Sequence, residues 1–119
     1  MSLSNELMAQ SMPAGLALQV GLDVAQTGVS AAGNSQATAT QLVADCAVVS
    51  TVSASQGVII QNRPGFGAVA NTSGTTLTVY PPVGSNFNGG TTNAGLSVAS
   101  NKAMVWFTAG LTIFAVVSA

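Results

Sequence analysis

Thr75–Gly90 reads TTLTVYPPVGSNFNGG. Its first half alternates. Thr76, Thr78 and Tyr80 fall on one side, and Thr75, Leu77 and Val79 on the other. β-Branched and aromatic residues at period two favour a pleated, half-buried strand. Pro81-Pro82 then ends regular pairing, because proline has no N–H for a ladder and fixes its own φ. Gly84 and the run Asn88-Gly89-Gly90 tolerate positive φ, so the chain can turn back. The stretch is a strand, a proline stop and a turn. It contains no group that titrates near neutrality.

The same period continues upstream. Ser35–Ala44 alternates with small residues on both sides, and Asp45 breaks the pattern. Cys46–Val52 (CAVVSTV) and Val58-Ile59-Ile60 are β-rich and are separated by the small polar loop Ser53–Gly57, which predicts a hairpin. Asn62–Gly67 is a loop, and Ala68–Thr72 is a short strand. Gly65-Phe66-Gly67 is a bare G-x-G. No helix opens after it, so Arg63 is expected to make a surface or interface contact and not to hold a phosphate. Asn71-Thr72-Ser73 matches a glycosylation acceptor formally, but a turn asparagine is its ordinary meaning.

Downstream, Leu96–Ala99 is a strand. Ala103–Ala119 is uncharged and apolar enough to raise the question of a membrane span. Thr108, Gly110 and Thr112 interrupt it, which fits a hairpin turning near Ala109-Gly110 better. Trp106 reads as a core anchor. The whole pattern predicts an all-β chain: a small antiparallel β-sandwich or barrel of about eight short strands.

The N-terminal part differs. Leu3, Leu7, Met8 and Met12 lie close to helical spacing, and Pro13 suits the first turn of a second short piece carrying Leu16, Leu18 and Leu22. Neither piece is long enough to be stable alone. Each must dock, either on this chain's own sheet or on a partner with Leu and Met as adaptable anchors. Residues 23–34 are small and polar, a linker or an extended edge. The expected division is therefore an arm and linker over 1–34, extended or in short helices, and a β-domain over 35–119.

Composition excludes more than it assigns. Charged residues make up 4% of the chain, with net charge -1 and no histidine, against roughly 25% charged residues in an ordinary soluble domain. Lys+Arg number 2, too few to neutralise a nucleic-acid backbone. The lone Cys46 can form neither an intrachain disulfide nor a metal quartet, and within its apolar run it is expected to be buried and inert. Without His there is no base for a nucleophile, and the few acids are scattered, so no catalytic, cofactor or metal site is expected. A near-neutral surface gives little protection against self-association, and a small β unit with few large side chains gains from it. A homo-oligomer is expected.

Four segments carry a resemblance: GNSQATATQL, VVSTVSASQGVII, LTVYPPVGSNFNG and NKAMVWFTAGLTIFAVV. In this order they resemble a small β-domain of tailed-phage virion proteins. Its pattern runs Q-A-T-A-x-x-L, then V-V-x-T-V…G-V, then N-x-G-x-x-L-x-V-Y-P-x-x-G-x-x-[IF]-N-G, then an aromatic hairpin. Asn71, Gly74, Leu77, Val79, Tyr80, Pro81, Gly84, Phe87, Asn88 and Gly89 fall on it. Ile60-Gln61 departs from the Leu-Pro often found there. The segment ELMAQSMPAGLA is similar to a leader that precedes this domain in small phage structural proteins.

The resemblance implies a capsid decoration, or cement, protein. Such a protein, often a trimer, sits on the outer capsid surface of the virion. It binds the major capsid protein, with the arm residues as anchors, and needs neither nucleic acid nor membrane. It also leaves open a head- or tail-fibre appendage that adheres to the host, which would show exposed aromatic sites or longer variable loops facing outward.

Overall fold

Parallel pairing decides the architecture. The computed structural model describes residues 25–63 and 65–119. Ten strands and no helix lie within them: β1 Gln26–Ser30, β2 Thr40–Gln41, β3 Cys46–Thr51, β4 Gly57–Ile59, β5 Phe66–Asn71, β6 Leu77–Tyr80, β7 Asn86–Phe87, β8 Leu96–Val98, β9 Lys102–Ala109 and β10 Thr112–Val117. One sheet has six strands in the order β1-β3-β5-β9-β10-β7, and the other has four in the order β2-β4-β6-β8. Through the first six strands the chain alternates between the sheets. Odd strands stack parallel in one and even strands stack parallel in the other.

The first part of the molecule is thus a coil wound around a flat core. Cys46 lies beside Ala68 and Val49 beside Asn71 (68 less 46 is 22 residues). Val58 lies beside Val79 and Ile59 beside Tyr80 (79 less 58 is 21). Each coil contributes one strand to each sheet and stacks on the next, the nearest-neighbour logic of a solenoid. The last coil is closed by antiparallel strands: β8 on β6, β9 on β5, and β10 on β9. β7 adds a short parallel pair at the far edge.

Several expectations need correction. The sheets are mixed, not antiparallel, and carry ten strands among the described residues. Cys46–Thr51 and Gly57–Ile59 do not form a hairpin. The loop between them carries the chain from one sheet to the other, held by Gln56 N–H to the Ser53 carbonyl at 3.1 Å and by Ser53 N–H to Gln56 Oε1 at 2.9 Å. A polar loop between two β-rich runs looks the same whether the second run pairs with the first or crosses the core. Ser35–Ala39 is a turn, not a strand, because Thr38 and Ala39 N–H both return to the Ser35 carbonyl. Small polar side chains satisfy a turn as well as they satisfy alternation. Conversely, the sheet begins at Gln26, inside the stretch that reads equally as linker or extended edge. The hairpin within residues 103–119 is present, with Gly110 at φ 65° between β9 and β10.

The core lies between the sheets. Val49, Val58, Val69, Leu77, Val79, Val98 and Met104 have no exposed surface. Trp106 packs against this cluster, as a core anchor should. Its indole lies across Gly67, where a Cβ would also stand 2.6 Å from the Asp45 carbonyl oxygen.

Candidate functional site

The residues of the opening stretch hold the fold. Leu77 and Val79 are fully buried, Pro81 is fully buried, and Tyr80 is half-buried on the outer side of the four-stranded sheet. Gly57 gives Tyr80 its place, because a Cβ there would stand 2.7 Å from the ring. Gly84, Asn88 and Gly89 all have positive φ (88°, 55° and 76°). Asn88 also acts as a false strand partner. Its Nδ2 donates to the Ala115 carbonyl at 3.1 Å, and Ala115 N–H donates to its Oδ1 at 2.9 Å. Gly89 N–H donates to Asn86 Oδ1 at 2.9 Å, which closes the turn. The arm residues Leu3, Leu7, Met8, Met12, Leu16, Leu18 and Leu22 lie outside the described residues.

Asn71 is not a free turn residue. It is fully buried. Its Nδ2 donates to the carbonyls of Thr75 at 2.8 Å and Val98 at 2.9 Å. Its Oδ1 accepts from Ser73 N–H at 3.0 Å and Ser73 Oγ at 2.7 Å. No face of its amide is open to a glycan. Arg63 reaches the buried carboxylate of Asp45, with Nε 3.5 Å from Oδ1.

The feature that sequence reasoning missed is a face. On the outer side of the six-stranded sheet, cross-strand register lines up two apolar rows. Phe66, Phe107 and Phe114 are direct neighbours across β5, β9 and β10. Their ring centroids are 6.4 Å apart for Phe66–Phe107 and 5.2 Å for Phe107–Phe114, the second pair stacked. The next row is Cys46, Ala68, Val105 and Val116. Together they line a shallow trough of about 610 Å³. Neither row contains an ionisable group other than the Cys46 thiol. Burial, more than the nearby Asp45 carboxylate, pushes that thiol above its ordinary value of 9.0, with a backbone hydrogen bond to Ala68 opposing. Cys46 is half-buried, less enclosed than its apolar run suggests, and the raised pKa keeps it a neutral, weakly nucleophilic thiol near pH 7.

The signal for this face was available in Met104–Ala109 and Leu111–Val117, where both alternating sides are apolar. A sheet packed on one side needs only one such side. The opposite sheet shows the contrast: its outer side carries Gln41, Thr78 and Ser97 around Ile59 and Tyr80. Among the described residues no group of three His, Cys, Asp or Glu side chains could hold a metal ion, and no helix is long and apolar enough to cross a membrane. Comparison with protein-family models, with curated proteins and with solved structures finds no match.

Proposed function

We propose that this chain is a structural virion subunit that decorates and stabilises the outer surface of a phage capsid as an oligomer. The observation that carries the assembly part is the outer face of the six-stranded sheet, with two apolar rows exposed side by side. Contiguous exposed apolar surface of this kind marks an interaction site. The virion part is supported by the resemblance centred on Leu77–Gly89. In this reading the work is mechanical. Copies add buried area across neighbouring major capsid proteins, and many modest contacts multiply over the shell. Leu3, Leu7, Met8 and Met12, with Leu16, Leu18 and Leu22, serve as the anchoring arm.

The test is co-sedimentation with assembled capsid shells and with free capsid subunits. The chain is expected to pellet with shells and to ignore free subunits. Leu7→Asp combined with Met8→Asp is expected to abolish pelleting while the circular dichroism of the β-domain stays unchanged. Pelleting that survives the double substitution removes the anchor role. A chain that ignores shells but binds host cells instead supports the appendage reading, which the three exposed phenylalanines favour. Those rings sit on a sheet face, however, and not on outward loops.

A further inference from the structure

We infer that the outer face of the six-stranded sheet is the seam between copies of this chain. This deepens the oligomeric part of the proposal above and leaves its capsid part to be tested separately.

The area argument comes first. Exposure is 71% for Phe66, 47% for Phe107, 44% for Phe114, 56% for Val105 and 69% for Val116. Taking roughly 200 Å² for a phenylalanine and somewhat less for valine, these five side chains leave on the order of 500 Å² of apolar surface to cover. A stable interface takes about 800 Å² from each partner, so five residues on three adjacent strands supply more than half of one side. Cys46, Val48, Ala68 and Ala70 extend the same face across β3 and β5.

Electrostatics then selects the partner. A foreign protein surface is held in register by complementary charge, and neither row offers any. A second copy of the same face meets no charge and leaves none unpaired. Relief supplies the fit. The exposed aromatic row runs along the trough, whose lining also includes the half-buried Cys46 and Ala68. One copy therefore carries both a ridge and the groove that receives a ridge. Ring pairing already fixes Phe66, Phe107 and Phe114 against one another, so little side-chain freedom is lost when the ridge seats. The outer side of the four-stranded sheet has no such pair of rows.

Two measurements on the full chain test this. Sedimentation equilibrium gives the mass, and maleimide labelling of Cys46, the chain's 1 Cys, reports whether the trough is covered. The wild type is expected to sediment as two or more chains with slow labelling. Phe107→Asp and, independently, Val116→Lys are expected to sediment as single chains with labelling about tenfold faster or more, a factor equivalent to 1.4 kcal/mol. The second variant guards against misfolding of the first, and unchanged far-ultraviolet dichroism qualifies both. Ser97→Asp, on the other sheet, is expected to change neither readout. A monomeric wild type whose labelling both variants still accelerate about tenfold would mean that the chain's own arm covers the face. A monomeric wild type that labels as fast as the two variants would mean that the face awaits a different partner. An oligomer that persists in both variants would place the seam elsewhere. Each of these three results overturns the inference, and none decides whether shells are bound.

Discussion

Asn71 is the residue on which three segments converge. Its amide ties the end of β5 to the loop before β6 and to the end of β8, and its backbone carbonyl accepts from Asn101 N–H at 2.8 Å. Asn71→Ala removes the amide donor shared by the Thr75 and Val98 carbonyls and takes from the buried Ser73 N–H its Oδ1 acceptor. The expected loss is about 3 kcal/mol in urea unfolding, at the upper end of ordinary point-mutant effects, because a buried group left unpaired costs its full desolvation. The sequence marked Asn71 as one position of a recurring pattern but read it as a turn residue. Its burial depends on Val98 arriving from 27 positions away, and no local rule reports that. Gly74 gives the opposite lesson. It falls on the same pattern, yet it has an ordinary φ and open space around its Cα. Asn88 was more legible. An Asn-Gly pair after a short strand announces positive φ, and the side chain's pairing with β10 is the part that only tertiary structure adds.

Among elements, the strands themselves were readable and their partners were not. β3, β5, β6, β9 and β10 lie where alternation and β-branched residues place them. β2 is short because Ser35–Ala39 folds on itself, and β1 lies in a segment whose glycine and small polar residues suggest an edge at most. Hairpin and crossover share one local signature, so the coil is visible only in offsets of about 21 residues between unlike sequences. Winding also leaves its mark in the glycines where strands pack closely. Gly67→Ala drives a methyl against the Trp106 ring and the Asp45 backbone. It is expected to cost about 2 kcal/mol, as overpacking does. Gly74→Ala, in the corner between β5 and β6, is expected to stay within about 0.5 kcal/mol of wild type. Paired thermal melts of the two variants check both figures.

At the scale of the whole molecule, the shortage of charge sets how the protein responds to solvent. Screening weakens assemblies built on ion pairs. Here only Asp45, Arg63 and Lys102 are charged among the described residues, and the exposed face holds none of them. Association is therefore expected to be no weaker in about 1 M sodium chloride than in 0.1 M, a range over which the Debye length falls from about 10 to 3 Å. Sodium sulfate is expected to tighten it, since excluded salts favour apolar burial. Light scattering across both series reads the result, and a mass that falls with added chloride would count against an apolar seam. The winding has a further consequence. Because each coil rests only on its neighbours, and among the described residues β1 and β2 form the outermost pair, the molecule's length is quantised. Evolution can duplicate or delete one whole turn of the chain between β2 and β5 without redesigning the antiparallel end. Natural variants of this architecture should therefore differ in height by integral steps, while the aromatic row on β5, β9 and β10 and the closing strands keep their dimensions.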